Sequence, residues 1–299
     1  MKKLIPLLFI TTLIGCSQTQ LKTSEPKAST ITVGLLHIAP KWATTTADLT
    51  ANTERVKQGM QLAKQHGVHW VVTPELTLTG YRFRYTLGTD WIKPGTDSYT
   101  QSLQQTADQL DLVLFLSHLE KDPTTELSYN TLFVIDRQGE VLARHRKINT
   151  IPGSEAWSSK GKTPTLVEVD ETQVGLLICA DAWPTTHTQR LTEQGAELLI
   201  SSANWAPGLY GPGTTWEDRA QQSGVPIIVN NRHGIEESLD MRQAKSVVSV
   251  PAKPAFPTES TTGKRILEHS STSDQLVVFE LDLATQTLAN IQRYPLAGN

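Results

Sequence analysis

The chain has 299 residues, of which 38% are hydrophobic and 19% charged, with a formal net charge of −3. That balance excludes a disordered polymer, and the length suffices to bury the core of one large α/β domain. No basic patch suits a polyanion, so nucleic acid is not an expected partner.

The chain opens on Lys2 and Lys3, followed by an apolar run from Leu4 to Ile14 that is too short to cross a bilayer as a helix. The run ends in Leu13-Ile14-Gly15-Cys16, which resembles the lipobox of bacterial lipoproteins. The resemblance implies that residues 1–15 are a signal peptide and that Cys16 carries the lipid. Residues 16–29, polar and unpatterned, then serve as a tether. Buried acyl methylenes such as those of palmitate would hold the protein on a membrane. Ser17 lacks the aspartate associated with inner-membrane retention, so the expected address is the periplasmic face of the outer membrane.

From residue 30 onward, strand and helix patterns alternate. Ile31 to His37 reads as a strand, and Asp48 to His66 as a helix with Leu49, Val56, Met60 and Ala63 near one face. His69 to Thr73 is a strand, Thr96 to Gln109 a helix, and Leu112 to Leu119 a strongly apolar strand. Tyr129 to Asp136 and Glu140 to Arg146 flank Arg137-Gln138-Gly139, a hairpin signal. Thr165 to Val169 and Val174 to Ile178 form another strand pair. Helix Thr186 to Gln194, strand Leu198 to Ser202, helix Thr215 to Gly224 and strand Pro226 to Asn230 continue the alternation. Ser246 to Val250 and Gln275 to Asp282 complete the strands. With no internal repeat or linker, residues 30–299 are expected to form a single α/β domain.

Three reactive side chains stand where strands end. Cys179 follows Val174-Gly175-Leu176-Leu177-Ile178, Glu75 follows the strand ending at Thr73, and Lys147 closes Val141 to Arg146. A thiol at such a point can be exposed at a sheet edge and aimed into a cleft. If Cys16 is lipidated, Cys179 is the one free thiol, and no intrachain disulfide can form. A thiol, a carboxylate and an ammonium are the components of a cysteine hydrolase. Each also has a blander reading: a core cysteine, a turn-capping glutamate, and one member of the basic run Arg144 to Lys147. The loops Ile148 to Lys162 and Asn204 to Thr215 adjoin these groups in sequence and are expected to line the pocket.

Together, Pro74-Glu75-Leu76…Gly80-Tyr81, Arg144-His145-Arg146-Lys147 and Gly175-Leu176-Leu177-Ile178-Cys179-Ala180-Asp181 resemble the nitrilase superfamily of carbon–nitrogen hydrolases. Ser202-Ala203-Asn204-Trp205 and Trp216-Glu217-Asp218-Arg219-Ala220 extend the likeness. The resemblance implies an α-β-β-α sandwich. It also implies Glu75 as general base, Lys147 as oxyanion stabiliser, Cys179 as nucleophile and Glu155 as a supporting carboxylate. The backbone N–H of Ala180 is the second expected oxyanion donor, while Asp181 is expected to satisfy backbone donors in the turn after the cysteine. Tyr81, Trp183, Asn204 and Trp205 are the pocket candidates. Ala180-Asp181 and Glu155 lean toward small amides as substrates rather than nitriles. The family pattern is broken where Trp183 and Pro184 are displaced by one place and no glutamate follows.

Other chemistries lack their signatures. No Gly-x-Ser-x-Gly elbow occurs, and Ala156 stands where a phosphate loop before Gly161-Lys162-Thr163 needs glycine. His66 and His69 have no third ligand nearby, so neither a metal nor any other cofactor is expected. Acyl transfer through the same thioester, nitrile hydrolysis and a catalytically silent ligand-binding lipoprotein are the rival functions. A homo-oligomer is left open.

Overall fold

Near-continuous apolar runs in the longest strands decide the architecture, because successive side chains point to opposite faces and so one sheet has two buried faces. A computed structural model describes residues 29–252 and 262–296. The expected signal peptide, Cys16, all of the expected tether but Ser29, and most of the Pro-rich stretch before Gly263 lie outside the described residues.

In chain order the first half holds β1 (Thr30–His37), α1 (Thr46–Gln65), β2 (Trp70–Val72), α2 (Ser98–Leu110), β3 (Val113–Lys121), β4 (Ser128–Ile135) and β5 (Val141–Arg146). Next come β6 (Thr165–Val169), β7 (Thr172–Ile178), α3 (Thr185–Glu193), β8 (Leu198–Ala203), α4 (Thr215–Ser223) and β9 (Ile227–Asn231). The remainder is β10 (Ile235–Glu236), β11 (Leu239–Asp240), β12 (Ser246–Val250), β13 (Lys264–His269), β14 (Gln275–Asp282) and β15 (Thr287–Pro295). Seven strands form one sheet in the order β15-β14-β1-β2-β3-β4-β5, and six form another in the order β13-β12-β9-β8-β7-β6. β1, β2 and β3 run parallel, as do β7, β8 and β9; antiparallel strands flank each trio.

Val33, Leu35, Trp70, Val72, Phe115, Leu132 and Val134 face the six-stranded sheet and share a core with Val174, Leu176, Ile178, Ile200 and Ile228. Their neighbours Leu36, Val71, Leu114, Leu116, Phe133 and Ile135 point the other way, onto Val56, Met60 and Ala63 of α1 and Leu103 and Ala107 of α2. α3 and α4 pack together against the outer side of the six-stranded sheet. The result is the α-β-β-α sandwich that the resemblance implied. At one end the two sheets are stitched by polar groups. Asn230 Nδ2 donates to the carbonyls of Leu36 and Val72 (2.9 and 2.6 Å), and Ser202 Oγ donates to Thr73 (2.7 Å).

Three histidines crowd that same end. His37 closes β1, His233 follows β9 and His269 closes β13; the His37 ring lies 5.2 Å from His233 and 4.7 Å from His269, centroid to centroid. His37 Nδ1 donates to the Asn231 carbonyl at 2.9 Å, and His233 shares a 2.8 Å hydrogen bond with Asp274. Burial, reinforced by the other two rings, pushes His37 down to about 3; burial and Arg293 take His269 to about 4. A histidine whose folded-state pKa lies below its unfolded value is protonated first in the unfolded chain. Stability therefore falls as pH drops from the unfolded value of 6.5 toward these lower ones. We expect urea unfolding between pH 6.5 and 5 to lose about 1.4 kcal/mol per pH unit for each proton withheld. His37→Asn, which can keep the donor to Asn231, should flatten that slope, and an unchanged slope would show that the ring is protonated in the folded state.

Candidate active site

The loop after β2 carries Glu75, the residue after β5 is Lys147, and the residue after β7 is Cys179. β2 and β5 belong to one sheet and β7 to the other, so the site forms where the two layers meet. Ala143 and His145 of β5 face inward, and Lys147 continues their alternation into the interior. Arg144 and Arg146 point to the opposite face, where both reach Glu120 and Arg146 also reaches Asp122. The basic run thus divides by face. Its two inward members, His145 and Lys147, are completely buried.

Lys147 Nζ lies 2.7 Å from Glu75 Oε1 and 2.9 Å from the Glu155 carboxylate, and all three side chains are sealed from solvent. Asn130 Nδ2 donates to Oε1 of both glutamates, at 2.8 Å to Glu75 and 2.7 Å to Glu155. The backbone N–H of Ile151 donates to Glu155 Oε2 at 2.6 Å, which ties the loop after Lys147 onto the cluster. Glu75 Oε2 is buried and has no hydrogen-bond partner among the described residues. One carboxylate oxygen is therefore clamped and the other is free to take a proton.

Electrostatics follows from that burial. Desolvation raises the Glu75 carboxyl against the pull of Lys147, and the charge on Glu155 raises it further. Desolvation opposes the Lys147 charge, but the two carboxylates outweigh it and hold its pKa above the usual lysine value. Cys179 is raised well above an ordinary thiol by burial and by the Glu75 charge, with Lys147 and the backbone of Asn204 working the other way. At neutral pH the site therefore holds a protonated thiol near a carboxylate of enhanced basicity.

Cys179 differs from expectation in one respect: its residue is only 5% exposed, so the thiol sits at the floor of a cleft rather than at an open edge. Its φ of 47° places a non-glycine residue in the left-handed region, the sharp turn that takes the chain from β7 into the short 3₁₀ segment Cys179–Ala182. Asp181 holds that turn. Its carboxylate accepts from the N–H groups of Ile178 (3.1 Å), Ile148 (3.0 Å) and Asn149 (2.7 Å), and pairs with His145 Nε2 at 2.9 Å. Burial would raise Asp181, but His145 and those donors hold it below the usual carboxylate range.

The cleft above the thiol has a volume of about 540 Å³, within the range of small-molecule sites. Tyr81, Ala180, Trp183, Asn204 and Trp205 all line it, together with parts of the two loops expected there from their positions in sequence. Trp205 packs edge-on against Trp216 at 5.2 Å and lies 5.5 Å from Trp183. Two structural participants escaped the sequence reading. Asn130 occupies the inward face of β4 in register with Leu132 and Val134, and an amide on an otherwise apolar face was its one signal. Glu236, on the short hairpin β10–β11, is buried with Arg232 and accepts the backbone N–H groups of Tyr81 (3.1 Å) and Arg82. Among the described residues no group of three or more histidine, cysteine or acidic side chains is arranged to hold a metal.

Comparison with known proteins places this geometry in context. The model of the carbon-nitrogen hydrolase family matches residues 32–251. A hydrolase encoded beside pqqF in Pseudomonas protegens is 26% identical over 195 residues, covering 64% of this chain and 67% of that one. The chloroplastic omega-amidase of Arabidopsis thaliana is also 26% identical, over 58% of this chain; the match spans about half of the plant protein, 49%. Among solved structures, an amidase from Nesterenkonia sp. AN1 superposes with a TM-score of 0.71 at 22% identity, covering 85% of this chain and 91% of its own. Nit3 of Saccharomyces cerevisiae, a nitrilase-superfamily member, gives a TM-score of 0.70 at 20% identity, covering 86% and 92%. With the family model matched over most of its length, this chain belongs to the carbon-nitrogen hydrolase family.

Proposed function

We propose that the protein is a thiol-dependent amidase, converting a small amide to carboxylic acid and ammonia or amine through a thioester on Cys179. The observation that carries this reading is the free Glu75 Oε2, buried beside a neutral thiol while its partner oxygen is held by Lys147 and Asn130. The named relatives, among them an omega-amidase and a formamidase, support the same chemistry.

In the first step Glu75 takes the thiol proton as the sulfur attacks the carbonyl carbon. The carbonyl π pair moves onto oxygen, where the Lys147 ammonium and the Ala180 N–H receive the charge. As the tetrahedral species collapses, the C–N bond breaks and the nitrogen takes the proton from Glu75. Water then attacks the thioester, Glu75 accepts its proton, and the C–S bond breaks as the thiol is reprotonated. Glu155 acts as a positioning residue, because it touches Lys147 and Asn130 rather than the reacting atoms. Nitriles are the poorer substrates in this reading, since a thioimidate asks for different proton delivery.

Cys179→Ala should abolish turnover of any amide that the wild type accepts, with unfolding behaviour close to native; near-native hydrolysis would sink the thiol mechanism. The pH profile of kcat/KM should have an acid limb above the ordinary glutamate value, because Glu75 must be ionised and burial raises it. A limb at or below the ordinary value would show that Glu75 is not the base.

Glu155→Gln should lower kcat more than it raises KM. Losing one carboxylate leaves Lys147 less well fixed against a developing oxyanion, an effect on the order of tenfold to a thousandfold. Parallel kinetics for wild type and variant across the whole pH range would make Glu155 a structural charge only.

The cellular address in this proposal is the periplasmic face of a bacterial outer membrane, through lipid on Cys16. Its support is the Leu13-Ile14-Gly15-Cys16 sequence with the polar stretch behind it. Cys16→Ser should move the protein from the membrane fraction to the soluble one and end labelling by radioactive palmitate. A wild-type protein that takes up no label and fractionates as soluble would contradict the anchor.

A further inference from the structure

Beyond the catalytic groups, and apart from Ser154 and Asn204, the cleft over Cys179 is lined mainly by apolar and aromatic residues. Among the described residues none that line it is acidic, basic or a histidine, and the lining runs outward from Tyr81 and Ile151 past Trp183 to Leu209, Tyr210 and Leu239. The outermost of these are strongly exposed: Leu209 at 92%, Tyr210 at 78% and Trp183 at 50%. Large apolar side chains standing open around a concave site are the usual mark of a surface that a ligand covers.

Charge at the floor acts in the same direction. Two carboxylates and one ammonium leave a net negative charge beside a neutral thiol, in a region where low dielectric strengthens every interaction. An acyl group ending in a carboxylate would meet that charge with no cation in the lining to receive it. An ammonium tail would find no carboxylate at the rim. An uncharged hydrocarbon pays neither penalty.

We propose that the cleft selects amides of uncharged, apolar acyl groups, long enough to pass Trp183 and Trp205 and lie against Leu209 and Tyr210, and disfavours acyl groups with a terminal carboxylate. This selectivity rests on the amidase reading. The wall that measures chain length is the segment between β8 and α4. Trp205 Nε1 donates to the Tyr210 carbonyl at 2.7 Å, and Gly211 N–H donates to the Gly208 carbonyl at 2.9 Å, so the bulge presenting Leu209 is held from within. Behind this segment lies a second cavity of about 240 Å³, lined by Gly208, Gly211 and Gly213 among others. Gly208 and Gly213 both have positive φ, conformations that larger residues resist.

The test compares acetamide, butanamide, hexanamide and succinamate as substrates. Complete burial of a methylene is worth about fourfold, so in a partly open cleft hexanamide should exceed acetamide in kcat/KM by at least about tenfold. Succinamate should fall below butanamide by a similar factor. Tyr210→Ala and Leu209→Ser should each reduce the hexanamide-to-acetamide ratio. In parallel, hexanal and succinic semialdehyde would be compared for protection of Cys179 against iodoacetamide, because a reversible thiohemiacetal reports the cleft without turnover. Hexanal protecting at much lower concentration is the expected result. If short neutral amides turn over but succinamate equals or exceeds butanamide, the selectivity falls and the amidase reading stands. If no amide turns over, the amidase reading falls, and equal protection by the two aldehydes then overturns the selectivity as well.

Discussion

The Lys147 ammonium, dry and held between two carboxylates, is the interaction on which the rest of the site depends. Taking three charged groups out of water costs several kcal/mol for each ion before any pairing is counted. Pairing alone leaves one negative charge over, so the cluster stands only because neutral donors share it. Asn130 reaches both glutamates, and the Ile151 N–H meets the outer oxygen of Glu155. Among the carboxylate oxygens of the cluster, the one left without a partner among the described residues is Glu75 Oε2. A buried carboxylate oxygen without a partner destabilises a fold. Placed near a thiol, the same oxygen is the base of the proposed mechanism.

Such a cluster needs a scaffold that will not relax around it. The sandwich supplies this by stitching its sheets where the reactive groups emerge. Asn230 and Ser202, from the sheet that carries the cysteine, donate to carbonyls at the ends of β1 and β2, and the Glu75 N–H donates to the Ala203 carbonyl at 3.2 Å. The loop bearing Glu75 is thus tied to the cysteine's sheet as well as to its own. Asp181 performs the matching task from the other side. It ties the turn after Cys179 to His145 and to the N–H groups of Ile148 and Asn149, immediately after Lys147. Glu75, Lys147 and Cys179 are registered to one another by contacts to the backbone, which hold position more tightly than long side chains can.

Which parts of this were legible in the sequence follows from how completely each element is buried. β1, β3, β4 and β7 lie inside the sandwich and read clearly from their apolar residues, with bounds within about two residues of the expected ones. β13 and β15 went unread for the opposite reason. Each is the outer strand of its sheet, and Lys264–His269 and Thr287–Pro295 expose too many positions to show a period of two. The hairpin β10–β11 is only two residues deep on each side and leaves no periodic trace, although its Glu236 supports the turn carrying Tyr81. The meeting of Glu75, Lys147 and Glu155 was available from the family resemblance. Their spacing alone gave no such information, since 72 residues separate Glu75 from Lys147. Asn130 left only the faint signal of an amide on an apolar face, because its task is defined by two partners distant in the chain.

Burial also joins two properties that would otherwise be in tension. A reactive cysteine commonly advertises itself through a depressed pKa, and the resulting thiolate is open to peroxide and to disulfide exchange. Here burial and the Glu75 charge raise the thiol, so the resting sulfur is protonated. The same burial raises Glu75, so the acceptor becomes more basic as the donor becomes less acidic. The proton then moves only when a carbonyl carbon is present to take the sulfur's electrons and Lys147 is present to take the oxygen's charge. Reactivity is thereby conditional on a bound amide. For a free cysteine in the oxidising compartment proposed for this protein, the arrangement would keep the nucleophile intact between turnovers.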